Sequence, residues 1–245
     1  MLAVGGGETR KRVLLILVAG LVILAGCGGA DGSANGGNAH INERSGSLNG
    51  AIPDERVGTK PPAAKEFTGS GSVMKAARDA GCFLLRHIPV KNDKVVSMNG
   101  PAPEYEKEPP MFGPHVAPPH QQADGAYLVL PEERTTVAAL DNGRMTIQYA
   151  PDLPEAKQLE LKGLYDTMYG GTLFFPNNNM YYAVAATTWS NGLFCAGFEG
   201  APTLDAIRAF GKATWGKYGD EPVEKFPVEG PTPADPEGPH AAGNH

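Results

Sequence analysis

The feature that most limits what this chain can become lies near its start. The cations Arg10, Lys11 and Arg12 precede an apolar run at 13–24, which closes on Leu24-Ala25-Gly26-Cys27. A positive flank, a short apolar run and small residues before a cleavage point are the parts of an export signal. The run is shorter than the roughly 20 residues a helix needs to span a bilayer. The last four residues read as a lipobox, with cleavage before Cys27 and acylation of its thiol. One acyl chain binds a membrane only marginally, whereas more than one anchors stably, and a mature lipoprotein carries more than one. No twin-arginine pair is present, which points to the general secretion route. The expectation is a palmitate-bearing lipoprotein with a signal peptide at 1–26, anchored through Cys27 to the extracytoplasmic side of a cell membrane or outer membrane.

That compartment is oxidising, and paired cysteines are the default there. The chain has three cysteines. With Cys27 taken by lipid, Cys82 and Cys195 remain to form a disulfide. Such a bridge closes a loop of roughly 100 residues, to which chain entropy assigns about 4–5 kcal/mol. The pair is not in a CxxC arrangement, so the bridge reads as a staple joining the start of the domain to its last strand.

Charge narrows the partners. The formal net charge is −6, and removing residues 1–26, which hold Glu8 and three cations, brings it to −8. An acidic chain is a poor match for nucleic acid or for an anionic membrane surface. Residues 28–50 are mainly Gly, Asn, Ser and Ala, too poor in large apolar side chains to offset chain entropy. Residues 27–72 therefore read as a lipid-anchored flexible tether. A Gly-rich tether of ~40 residues reaches roughly 30–40 Å. Residues 219–245 are rich in Pro, Glu and Gly; we place the globular domain at 73–227 and a disordered tail at 228–245.

Within the domain, 72–85 carries a short helical pattern, and 94–98 and 126–130 read as strands. Residues 135–140 and 144–149 flank Asp141-Asn142-Gly143, and Asn-Gly supplies the positive φ angles of a tight hairpin. Asp152-Leu153-Pro154-Glu155 resembles a helix start capped by Asp152, with Leu161, Leu164, Tyr165 and Met168 on one face. Strands follow at 172–175 and 181–189, joined across Asn177-Asn178-Asn179. Asn191-Gly192 suggests a turn feeding a strand through Cys195. A last helix, capped by Thr203, presents Leu204, Ile207 and Phe210. Interspersed helices with adjacent hairpins predict a single α+β domain: a mainly antiparallel sheet with two or three packed helices.

The segment Tyr105-Glu-Lys-Glu-Pro109-Pro110-Met-Phe-Gly113-Pro114-His115 resembles the Tyr-x-x-x-Pro-Pro-x-Ser-Gly-x-His signature of the bacterial domain-of-unknown-function 3105 family. Leu140-Asp141-Asn142-Gly143 falls where that family has Leu-Glu-His-Gly. Ala185-Ala186-Thr-Thr-Trp189 with Cys195, and Gly81-Cys82, resemble other family elements. The resemblance covers residues 80–219. It implies an extracytoplasmic domain, often behind an anchor, and no established activity. Family members carry several histidines that together could bind a transition metal. Here only His115 remains, and Lys94, Ala138 and Asn142 stand at the other positions.

The candidate ligand-binding residues are thus His115, Tyr105, Asp141 and Asn142, with His115 and His120 as the residual metal candidates and a transition metal as the one cofactor to consider. The preferred expectation is a non-catalytic domain binding an envelope protein or small ligand. The alternative is a metal-dependent or oxidoreductase-type enzyme using His115.

Overall fold

The computed structural model describes residues 41, 45–69, 71–168 and 170–219; the expected signal peptide, Cys27 and the expected tail at 228–245 lie outside them. Four helices, α1 (Ser72–Asp79), α2 (Glu133–Asp141), α3 (Glu155–Asp166) and α4 (Ala201–Thr214), surround a sheet. The strands are β1 (Cys82–Leu85), β2 (Val95–Val96), β3 (His115–Val116), β4 (Gly125–Ala126), β5 (Met145–Tyr149), β6 (Thr172–Pro176), β7 (Val184–Thr188) and β8 (Asn191–Cys195). Six of them form one sheet in the order β1-β8-β7-β5-β6-β4, and β2 pairs with β3 separately. The β1–β8, β8–β7 and β7–β5 pairings are antiparallel; β6 runs parallel to both β5 and β4. The fold is α+β, with four helices among the described residues.

Period-two alternation divides β5. Met145, Ile147 and Tyr149 join Val184, Ala186 and Leu193 in the main core, against Val73 of α1, Leu164 of α3 and Phe210 of α4. The opposite face carries Thr146, Gln148 and Thr187, yet these are buried as well. They lie under α2 and the loop before β3, so their polar groups pair with one another. Thr146 Oγ1 and Thr187 Oγ1 are 2.6 Å apart, and Gln148 Nε2 donates to Thr146 Oγ1 at 2.8 Å. Asn177 Nδ2 donates to Gln148 Oε1 at 2.7 Å.

Cys82 and Cys195 face each other in the β1–β8 register with Cα atoms 4.1 Å apart, and they are disulfide-bonded. The bridge ties the edge strand to a strand whose residues are all buried.

Several local expectations change. Residues 135–140 are helical, not a strand. The Thr135 hydroxyl donates to the Glu132 carbonyl at 2.6 Å and the Thr136 hydroxyl to the Glu133 carbonyl at 2.9 Å, a backbone partner that lets threonine sit in a first helical turn. Asn142-Gly143 ends this helix instead of turning a hairpin. Gly143 has φ +74°, its N–H donates to Leu140 O, and Arg144 N–H donates to Ala139 O; that pair of bonds is the Schellman motif. A left-handed glycine serves a hairpin and a helix end alike. Asn191 and Gly192 belong to β8, and the reversal is at Trp189-Ser190, where Ser190 has φ +58°. Gly192 is needed because the Phe194 ring lies 2.3 Å from where its Cβ would stand. Strands β6 and β7 are not hairpin partners; they lie on opposite sides of β5. Asp152 does not cap α3, whose N-cap position is Pro154. Thr203 lies inside α4, where its hydroxyl accepts from Glu199 N–H at 2.9 Å.

The largest difference concerns residues 45–69, expected in the tether. They are wrapped on the domain as a strap. Ser47 bridges to Gln122 and Pro53 to Tyr127, so the strap covers the β4 edge of the sheet. Asp54 is wholly buried in an ion pair with Arg56 at 2.8 Å, and Arg56 reaches Gln158 and Tyr149. Gly58 then crosses α3 at Gly163 so closely that a Cβ on Gly163 would stand 1.7 Å from Thr59 O. Under this crossing Lys162 is fully buried, donating to Asp166 at 2.5 Å, and Asp166 accepts Gly58 N–H at 3.0 Å. Leu48 and Phe67 pack against the domain at either end of the strap, but large side chains do not secure the crossing itself. What secures it is two missing ones and a satisfied buried ion pair, and removing one partner of such a pair is strongly destabilising.

Two outcomes are expected. Gly163→Ala should cost about 1–3 kcal/mol in denaturant unfolding, the usual penalty of overpacking, with increased amide exchange at Gly58 and Thr59. Cys82→Ser with Cys195→Ser should cost about 2–5 kcal/mol; unchanged unfolding of either variant would contradict the assignment.

Candidate functional site

The polar face of the sheet is where the signature residues meet. The loop before β3 starts with Tyr105, whose hydroxyl donates to Pro114 O at 2.8 Å. Its ring lies 2.8 Å from the position a Cβ on Gly113 would take, so the loop closes only over glycine. This places His115 on β3, where its N–H donates to Lys94 O at 3.0 Å. The imidazole is 7% exposed, with Nδ1 3.0 Å from Gly113 O and Nε2 3.4 Å from Asp141 Oδ2. Trp189 closes the remaining side, its ring meeting the imidazole edge-on at 5.7 Å between centroids.

Asp141 is the last residue of α2, so the ring also faces the negative end of a helix. Burial pushes the His115 pKa down, but the hydrogen bonds to Asp141 and to Gly113 O outweigh it and hold the imidazole above its ordinary value. Both ring nitrogens thus face acceptors, Gly113 O and the Asp141 carboxylate, an arrangement that favours the protonated ring. Asn142 is buried behind it and hydrogen-bonds Gln121, which in turn bonds Ser45 of the strap. Tyr105 and Trp189 belong to one apolar cluster with Val137, Leu140 and Tyr218. Burial and the nearby Glu133 carboxylate push the Tyr105 hydroxyl up.

Of the expected site residues, the structure brings together His115, Asp141, Asn142 and Tyr105. It leaves out His120, which is exposed in the Pro-rich loop. Lys94 is bonded to His115 through its carbonyl, and Ala138 accepts Asn142 N–H, so the positions where relatives carry histidine also converge here. In this chain they supply no imidazole. Both His115 nitrogens face protein acceptors, and among the described residues no group of three or more His, Cys, Asp or Glu has metal-binding geometry.

Trp189 was not among the expected site residues. Its contact with His115 depends on the β7–β8 reversal, which the Asn-Gly signal misplaced by two residues. Glu108, within the signature, was also missed. Burial and the Glu133 carboxylate push its pKa up to about 7. An acidic residue between Lys107 and Pro109 carries no sequence sign that a helix N-terminus will meet it. Beside the loop is a cavity of about 190 Å³, lined by Lys91, Asn92, Tyr105, Met111 and Phe112.

Both shifted groups tilt stability the same way. A raised histidine pKa contributes stability that is full below the unfolded value of about 6.5 and is lost as pH rises through the folded value. A raised carboxyl pKa means that from pH 4.5 to about 7 the folded protein keeps a proton the unfolded chain has released, so stability again falls with rising pH. The free energy of unfolding measured across this range should fall toward alkaline pH. Glu108→Gln should flatten the lower part of the curve and His115→Gln the upper part.

The profile of a family described as a protein of unknown function, DUF3105, matches residues 97–224. No curated protein and no solved structure matches the chain.

Proposed function

The chain belongs to the DUF3105 family of proteins of unknown function, and on that premise we propose that it is a non-catalytic binding domain, held by a lipid on Cys27 at the outer face of a membrane and taking an envelope protein or small ligand. The observation that carries this reading is the commitment of both His115 nitrogens, to Gly113 O and to Asp141. A general base or metal ligand needs a nitrogen to offer; this imidazole instead joins the signature loop to the end of α2. The pair's task is then to hold Tyr105, Phe112 and Gly113 in the shape of the cavity they line, and the cavity, with Lys91 and Asn92 at its rim, is the recognition surface. At about 190 Å³ it is smaller than the few hundred Å³ of a typical drug-sized site, which suits a side chain or terminal group of a larger partner.

The second reading is a metal-dependent or oxidoreductase-type enzyme. It is favoured by the histidine–carboxylate pairing itself, since a carboxylate commonly orients a working imidazole. It requires His115 to exchange one of its present bonds for a metal.

Native mass spectrometry of the full chain, purified without chelator or histidine tag, separates the two. The binding reading expects no metal and a His115→Ala variant altered in stability alone. Retained metal that disappears in His115→Ala would establish the enzyme reading instead. The anchor has its own measurement: Cys27→Ser should lose lipid labelling and membrane retention, and a labelled variant would refute it.

A further inference from the structure

The strap leaves a second concavity on the opposite side of the sheet. Between residues 58 and 69 it stands off α3 and α4, pinned where Arg208 Nη2 donates to Pro62 O at 2.9 Å and Lys65 N–H to Asp205 at 3.2 Å. The groove so formed has a volume of about 1370 Å³, beyond the roughly 300–1,000 Å³ of compact-ligand sites and suited to an extended occupant. Phe67, Ala209 and Ala213 give it an apolar floor. Its cations are Lys60, Lys65, Arg208 and Lys212, and its acids are Glu66 and Asp166. Asp166 is already neutralised by buried Lys162. Arg208 is likewise paired with Asp205 at 2.9 Å, and Lys65 lies 3.9 Å from Asp79, so the groove's basic character in a chain of net charge −6 rests on Lys60 and Lys212.

That negative charge has one main source. Residues 220–245, outside the described residues, hold six acids, Asp220, Glu221, Glu224, Glu229, Asp235 and Glu237, against the single Lys225. Their net of −5 leaves −1 for the other 219 residues. The segment also starts close by. Lys217 Nζ donates to Lys212 O at 2.8 Å and to Ala213 O at 3.1 Å, both residues of the groove wall. An extended chain of 18 residues, 220–237, can span up to about 60 Å. Five prolines at 222, 227, 231, 233 and 236 disfavour a helix and suit a chain laid along a groove.

We propose that the acidic segment at 220–237 of this same chain docks in the basic groove between the strap and α4. Carboxylates of the segment meet Lys60 and Lys212 at the rim, both exposed, and its prolines lie on the apolar floor. The inference does not depend on the proposed function, because the groove shares no residue with the His115 site.

Zero-length carbodiimide coupling tests it, applied to the full chain as an equal mixture of light and nitrogen-15-labelled protein. The expected result is amide links from Lys60 or Lys212 to acids of 220–237, within a single chain. They should be lost in a Lys60→Gln/Lys212→Gln variant whose thermal unfolding is unchanged, and suppressed by high salt, which screens exposed pairs. A chain ending at Gly219 should show Lys60 and Lys212 more reactive to acylation than in the full chain. The proposal is overturned if the links are missing, if they fall equally on exposed Lys91 and Lys107, or if they join light to heavy chains, which would mean docking on a second copy. Unchanged lysine reactivity after truncation would also overturn it.

Discussion

Both faces of the sheet are covered, and much of the rest follows from that constraint. A polar group buried without a partner costs several kcal/mol, so Thr146, Thr187, Gln148 and Asn177 have to satisfy one another. Their chain continues where Asn177 Oδ1 accepts Asn179 N–H and Asn179 Nδ2 reaches Glu133 of α2. The helix that covers this face is thereby tied to its centre at one end. At its other end it is tied to the signature loop through Asp141 and His115. The family signature is in this sense a closure: its glycine admits the Tyr105 ring, its histidine meets the helix, and its tryptophan neighbour seals the pair.

What the sequence made legible was whatever rests on one local signal. The apolar face of α3 at Leu161, Leu164 and Tyr165 follows from a 3.6-residue period, and the Cys82–Cys195 bridge follows from counting thiols under the expectation of an oxidising compartment. The His115–Asp141 meeting was expected from the order of motifs shared with relatives. The helix at Glu133–Asp141 was not legible. Its threonines favour strands unless their hydroxyls bond back to the preceding turn, and Asn-Gly satisfies a hairpin and a Schellman end equally well. Nor was the strap. A segment of Gly, Pro and polar residues looks like tether because it buries little of its own surface. Here Asp54 is buried by pairing with Arg56, and Gly58 is placed by the absence of a side chain on Gly163.

Both sides of the sheet bury opposite charges as pairs. On the signature side, opposite charges are buried as pairs: His115 with Asp141, and Arg144 with Asp124 at 3.4 Å. Burial holds the Asp124 carboxyl above its ordinary value even beside that guanidinium. Such pairs fix register and geometry more than they add net stability. On the strap side the pairs are Asp54 with Arg56 and Lys162 with Asp166, while Lys60 and Lys212 stay exposed, which suits reversible contact with a charged segment.

The strap's partners also set an order in time. Arg56 bonds Gln158, Gly58 bonds Asp166 and Lys65 bonds Asp205, separations of 102, 108 and 140 residues. Cys82 waits for Cys195 across 113 more. A chain synthesised from its N-terminus presents the strap first and its docking sites last. Residues 45–69 must therefore remain uncommitted until nearly the whole domain has emerged, and contacts of such long range close slowly. The part of the domain nearest its start is, on this topology, among the last to find its place.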